Sequence, residues 1–321
     1  MIKVEHLTKY YGSFLAVDDI SFEIDEGHVY GFLGPNGAGK STTMNIITGC
    51  LSATSGKVLI DGHDIFEEPD QAKRLIGYLP EHPPLYMVES PLEYLRFVGE
   101  AKGLHGAELN EQVEDVIQKT GITGVRNRRI SALSKGYKQR VGIAQALLGN
   151  PKVIILDEPT VGLDPIQIIE IRDLITELGK THTVIFSSHI LSEVQTICDQ
   201  ILMIAKGKLV AFDEPANLEK QLLAPNEIVL TTDAEEKELR KILSGVRYIS
   251  ALEVGSADEG LTVAHIKTDH SNIYELSRAV FCAFKSSDQA ILEMTLKKGN
   301  LEDVFIELTE AASGESKEEE A

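Results

Sequence analysis

The 321-residue sequence predicts an α/β chain built on a largely parallel sheet covered by helices, followed by a smaller α+β domain. Three observations predict it. A short apolar strand, Val29 to Leu33, runs straight into a glycine-rich loop, the start of a strand-loop-helix unit. Beyond Pro151, the run Val153 to Leu156, a helix from Ile166 to Leu178, the strand Thr183 to Ser187 and a helix near Ile190 to Cys198 alternate as βαβ units, which demand parallel strands. Past Pro215 the order changes. Strand Glu227 to Thr232, helix Glu235 to Leu243, strands Tyr248 to Val254 and Leu261 to Lys267, helix Ser271 to Phe284 and strand Ala290 to Leu296 read as βαββαβ, a ferredoxin-like order.

Taken from the N-terminus, Ile2 to Leu7 and Ile20 to Ile24 read as strands, and Gly27 turns the chain into Val29 to Leu33. From about Pro91 to Leu148 the apolar positions recur three or four apart, as in Leu92, Leu95 and Val98 and again in Val113, Val116 and Ile117. That spacing predicts a helical insert over about residues 85–149. The expected boundaries are therefore a first domain of residues 1–215, a second of 216–312, and a tail of 313–321. Glu315, Glu318, Glu319 and Glu320 dominate the tail, which reads as solvated and disordered.

Composition narrows the function classes. A hydrophobic fraction of 43% and a charged fraction of 25% are those of a folded globular chain. The net charge of −19 opposes broad binding to nucleic acid or to anionic lipid. Cys50, Cys198 and Cys282 are far apart and lack CxxC spacing, so neither a disulfide framework nor a zinc site is indicated. They fit a reducing cytoplasm. The N-terminus has no basic segment followed by an apolar run, and no stretch approaches the roughly 18–20 apolar residues that cross a bilayer. A membrane role would have to come through a partner.

The chemistry is concentrated in three places. Gly34-Pro35-Asn36-Gly37-Ala38-Gly39-Lys40-Ser41-Thr42 matches GxxxxGK[ST], after a predicted strand and before a predicted helix, as that motif requires. The glycines let backbone N–H groups crowd around phosphate oxygens, the helix N-terminus adds a favourable dipole, and Lys40 supplies a cation. The Ser41 hydroxyl is the expected Mg²⁺ ligand. Val153 to Leu156 then delivers Asp157 and Glu158 to the C-terminal end of a parallel strand, where α/β sheets place ligands. Asp157 suits Mg²⁺, and Glu158 is placed to polarise an attacking water. Between these, Leu133-Ser134-Lys135-Gly136-Tyr137 opens a helix with a capping serine beside a glycine, a second anion site.

At this point residues 2 to 215 resemble the ATP-binding cassette (ABC) family, the ATPase subunits of ABC transporters. Its signature segment is usually LSGGQ and stands shortly before the Asp-Glu strand end, as Leu133 to Tyr137 does here. Further elements fall in the family's order. Tyr11 looks like the aromatic that stacks on adenine, Val161-Gly162-Leu163-Asp164 like the D-loop, and His189 in Ser187-Ser188-His189 like the switch histidine. The resemblance implies a P-loop NTPase cassette with a helical insert that binds ATP and Mg²⁺ and hydrolyses ATP. It further implies a head-to-tail homodimer in which ATP lies between the phosphate loop of one copy and Ser134 and Gly136 of the other. His189 would hold the γ-phosphate while Glu158 orients water.

Two departures stand out. The family's glutamine after the strand is Glu81 here, in Ile76-Gly77-Tyr78-Leu79-Pro80-Glu81, so an acid replaces an amide. Lys135 and Tyr137 replace a glycine and the glutamine of the signature. Both departures, together with Asn300-Leu301-Glu302-Asp303-Val304-Phe305, resemble the exporter ATPases of the gliding-motility and multidrug-type branch. The expected partner is an integral-membrane permease on another chain, which would hold this subunit at the cytoplasmic face of the inner (plasma) membrane of a bacterium, with no nucleic acid involved. The second domain is expected to be accessory or regulatory. The competing reading, a soluble ABC ATPase acting on a non-membrane macromolecule, is opposed by the lack of tandem cassettes or long heptads and by the acidic balance.

Overall fold

A computed structural model describes residues 2–221, 226–256, 261–268, 270, 272–285 and 287–297. The expected acidic tail and the segment from Asn300 to Phe305 lie outside the described residues. The chain divides into two compact units, one ending at Pro215 and one beginning at Ala216.

The first unit opens with a hairpin of β1 (Ile2–Tyr11) and β2 (Phe14–Ile24), longer than their apolar cores suggest, with Tyr11 paired to Phe14 across the turn. These join β4 (Ser55–Ile60) and β5 (His63–Asp64) in an antiparallel sheet of order β2-β1-β4-β5. A second sheet has the order β10-β9-β3-β8-β7-β6. Its strands are β3 (Val29–Leu33), β6 (Ile76–Leu79), β7 (Val153–Leu156), β8 (Thr183–Ser188), β9 (Gln200–Ala205) and β10 (Lys208–Asp213). All neighbours in it are parallel except the β9–β10 hairpin. Every residue of β3, β7 and β8 is buried, which is why β7 reads as an unbroken apolar run rather than an alternating one. Val4, Val17 and Phe22 of the first sheet share one core with Phe32, Ile155, Ile185 and Leu202 of the second.

Helices cover the parallel sheet: α1 (Lys40–Ile47), α2 (Pro69–Arg74), α6 (Pro165–Gly179) and α7 (Leu191–Ile197). The insert supplies α3 (Pro91–Ala101), α4 (Gly106–Lys119) and α5 (Lys135–Leu147). Helix α3 begins with a reciprocal capping box between Ser90 and Glu93, with Pro91 in the first turn. Lys102, just past its end, donates to the carbonyls of Gln145, Ala146 and Leu148 and so satisfies the C-terminal end of α5. In the sheet, Gly77 and Gly31 let helices approach so closely that an added side chain would force a neighbour to move. A Cβ on Gly77 of β6 would stand 2.2 Å from the Ala146 carbonyl of α5. One on Gly31 of β3 would stand 1.9 Å from Val194 Cγ1 and 2.8 Å from Cys198 Sγ, at the end of α7.

Ile155 is fully buried at mid-sheet, between Tyr78 of β6 and Ile185 of β8. Ile155→Ala is expected to cost about 2–5 kcal/mol through lost burial and a residual cavity. The check is a lowered urea midpoint for the unit that ends at Pro215.

The second unit contains α8 (Pro215–Gln221) at its boundary, then β11 (Asn226–Thr232), α9 (Glu236–Leu243), β12 (Ala251–Ser256), β13 (Thr262–Thr268), α10 (Ile273–Phe284) and β14 (Ile291–Lys297). The sheet is antiparallel throughout with order β12-β13-β11-β14, the ferredoxin-like arrangement. Ile228, Leu230, Ala264 and Ile266 alternate onto the face that packs with Leu239 and Leu243 of α9 and Leu276, Val280 and Phe284 of α10. The strand expected from Tyr248 starts three residues later, because Tyr248 takes a left-handed φ of 74° that no strand continues.

Candidate nucleotide site

The loop from Gly34 to Gly39 joins β3 to α1. Gly39 caps the helix at φ 106°, and a Cβ there would meet the Ala16 carbonyl at 2.6 Å, so only glycine closes this turn. No side chain caps α1, which leaves its first backbone N–H groups for an anion. Gly34, Pro35 and Ala38 shape the loop from behind. A Cβ on Gly34 would stand 2.4 Å from the Ile204 carbonyl, Ala38 N donates to the Pro35 carbonyl at 3.1 Å, and the Ala38 carbonyl accepts from Gly207 N at 2.9 Å. The turn between β9 and β10 thus braces the loop.

Lys40 is 5% exposed. Its Nζ donates to the Gly34 carbonyl at 2.7 Å and the Pro35 carbonyl at 3.3 Å, and lies 3.3 Å from Glu158 Oε1. Glu158, 7% exposed, holds a left-handed φ of 48°, strained for a residue that is not glycine. Its other carboxylate oxygen is hydrogen-bonded to His189 Nδ1 at 2.9 Å, and its backbone N donates to Ser187 Oγ at 2.7 Å. Asp157 Oδ1 accepts from Ser187 Oγ at 2.6 Å and from Ser41 Oγ at 3.2 Å. Burial pushes the Asp157 carboxyl up from its ordinary value; the two serine hydroxyls pull it back, and the charges of Glu158 and Glu81 push it further up.

Of these groups Lys40, Ser41, Glu158 and His189 line a cleft of about 490 Å³, and Asp157 stands behind Ser41. Tyr11, Phe14 and Ala16 line one end; Asn36, Gly37, Gly39, Lys40, Ser41 and Thr42 line the loop side; Glu81, Glu158, Val161 and His189 complete it. Tyr11 and Phe14 are 49% and 63% exposed, both large apolar surfaces held out by the hairpin tip. Lys9 Nζ stands 5.3 Å over the Tyr11 ring.

Ser134, Gly136 and Asp164 are not brought to this cleft. They line a second one of about 400 Å³ with Tyr137, Arg140, Gln167 and Glu170. Ser134 caps α5 by accepting from Tyr137 N at 3.4 Å, and Asp164 caps α6 by accepting from Gln167 N at 2.9 Å, so two helix N-termini open on one space. A Cβ on Gly136 would reach within 2.4 Å of Gln167 Oε1, so a larger residue there would have to turn the Gln167 side chain aside.

Phe14 and Ala16 had no place in the sequence reading, while Val161 and Ser187 entered it only as neighbours of Asp164 and His189, without a role of their own. Phe14 could have been found from its pairing with Tyr11 across the Gly12 turn. Ser187, directly before Ser188 and His189, links Asp157 to the Glu158 backbone, a contact across β7 and β8 that no motif spacing reveals.

An Mg²⁺ ion fits the oxygen set of Ser41 and Asp157, since it is held by one or two carboxylates or hydroxyls together with phosphate oxygens. Among the described residues no cluster of three or more His, Cys, Asp or Glu forms a cage for a metal on its own.

A family model described as ABC transporter matches residues 17–161. An ABC transporter ATP-binding protein of Bacillus subtilis (strain 168), YxlF, is 33% identical over 311 residues, 97% of this chain and 100% of that one. The linearmycin resistance ATP-binding protein of the same organism is 31% identical over 310 residues, covering 96% and 98%. Among solved structures, the dimeric ATP-binding cassette MJ0796 in a post-hydrolysis state with ADP and Pi is 26% identical, covers 67% of this chain and 98% of its own, and superposes with a TM-score of 0.60.

Proposed function

Since the chain belongs to the ATP-binding subunits of ABC transporters, which hydrolyse ATP, we propose that it drives an exporter through a head-to-tail pair of its own copies. The observation that carries the reading is the division of the site. The phosphate loop, Glu158 and His189 face one cleft, while Ser134, Gly136 and Asp164 face another. Two copies placed head to tail would bring the second cleft of one onto the first cleft of the other, twice, by the same contacts.

Within that pair Tyr11 stacks on the base, and the loop N–H groups and Lys40 hold the β- and γ-phosphates. Ser41 and Asp157 would hold Mg²⁺, which when bound neutralises phosphate charge. Glu158 orients the attacking water and accepts its proton, while His189, tied to Glu158, donates to a γ-phosphate oxygen. Glu81 reaches the same cleft and accepts a hydrogen bond from water.

Export is supported by the linearmycin resistance relative, which matches nearly the full length of both chains. An integral-membrane permease on a separate chain supplies the membrane path and holds this subunit at the cytoplasmic face of a bacterial plasma membrane; among the described residues no helix is long and apolar enough to cross a bilayer. The unit beginning at Ala216 serves as an accessory or regulatory domain in this reading.

The test is Ser134→Arg, which fills the second cleft and leaves the phosphate loop untouched. ATP binding by the single chain should stay within about threefold, while light scattering shows ATP-dependent dimers lost and phosphate release falls about 10-fold or more. A variant that dimerises and turns over like wild type sinks the shared-site reading.

A further inference from the structure

One buried carboxylate has no part in the chemistry above. Glu193 lies in the first turn of α7 and is 1% exposed. Its Oε2 accepts from Thr160 Oγ1 at 2.8 Å and from Ser188 Oγ at 2.9 Å. Thr160 stands two residues after Glu158, and Ser188 directly precedes His189. A single oxygen therefore ties the loop that carries Glu158 to the strand end that carries His189, using both of its lone-pair directions.

Burying a carboxylate is costly unless its partners offset the loss of water. The cation beside it does so only loosely: Arg172 Nη2 stands 4.0 Å from Glu193 Oε1, beyond hydrogen-bond reach, and Arg172 Nε is buried without a partner among the described residues. Both direct hydrogen bonds go to hydroxyls of the two hydrolytic segments, and bonds to a charged acceptor are roughly twice as strong as neutral ones. Ser188 Oγ also accepts from Ile190 N at 3.0 Å, so the backbone on the far side of His189 is fixed by the same cluster.

We infer that Glu193 is a positioning residue, which sets the Glu158–His189 geometry by holding Thr160 and Ser188 on one oxygen. The inference rests on the assignment of Glu158 and His189 to hydrolysis. Glu193 does not line the nucleotide cleft, so its loss should act on the rate and spare binding; a misplacement of about 1 Å at a reacting centre costs on the order of 100-fold.

The experiment compares Glu193→Ala, Thr160→Val and Thr160→Ser with wild type for kcat of phosphate release and for ATP Kd by titration, with Glu158→Gln as control. Glu193→Ala and Thr160→Val should lower kcat about 10- to 100-fold with Kd within about threefold, and Thr160→Ser, which keeps the hydroxyl, should restore the rate. The inference is overturned if both retain kcat within about threefold, if Kd rises in step with the loss of rate, or if Thr160→Ser is as slow as Thr160→Val. Should Glu193→Ala fail to fold, the Thr160 pair decides alone. A control Glu158→Gln with wild-type turnover would overturn the underlying assignment instead; a dead control beside normal Glu193 and Thr160 variants removes the positioning role only.

Discussion

Glu158→Gln should lose phosphate release by about 100- to 10,000-fold, the span of a general base, and accumulate as an ATP-bound dimer. The amide has the size and shape of the acid, so the pocket formed by Lys40, His189 and the left-handed turn at residue 158 remains filled. What disappears is the capacity to take a proton from water. Binding should survive, because the phosphate loop and the cap at Gly39 are untouched and the Lys40 cation loses a competitor for the phosphates. Phosphate release gives the rate, and light scattering with ATP and Mg²⁺ gives the dimer. If the variant turns over like wild type, the base is Glu81 or His189, the other carboxylate and the imidazole on that cleft.

Lys40→Ala should weaken ATP binding by about 10- to 100-fold or more, since a hydrogen bond to a charged group contributes about 1.5–3 kcal/mol and each 1.4 kcal/mol is tenfold. The effect has two parts. The β- and γ-phosphates lose their cation, and Glu158, buried at 7% exposure, loses the positive neighbour 3.3 Å away, so its charge repels the incoming phosphate unscreened. Calorimetric titration with ATP measures it. A variant that binds as tightly as wild type would show that the loop does not hold the phosphates.

Much of the cassette was legible because its signals are local. The phosphate loop is contiguous and sits between an apolar strand and a helix, and Asp157 and Glu158 follow four buried residues of β7. The ferredoxin-like order past Pro215 was legible from alternation and spacing alone. The antiparallel edge was harder. β1 continues through His6, Thr8 and Lys9, polar residues on a half-exposed face, and β4, β5 and β10 alternate too briefly to stand out from loops. Contacts between distant segments left no trace in spacing. Ser187 reads as an ordinary strand-end serine and Glu193 as a solvated helix glutamate; only tertiary structure buries them against Asp157, Thr160 and Ser188. Likewise the sequence offers Ser134 and Lys40 as two anion sites without showing that they face different clefts.

The absent side chain at Gly31 gives the central strand a consequence for heredity. With Val194 and Cys198 filling the space where a methyl would stand, even a substitution to alanine at residue 31 must shift the side chains that pack α7 on β3. That shift would be felt at Ser188 and His189, since α7 begins two residues after the histidine. Inheritance at this position is therefore constrained by volume: a single added carbon, outside the lining of the nucleotide cleft, disturbs the packing behind the His189 segment.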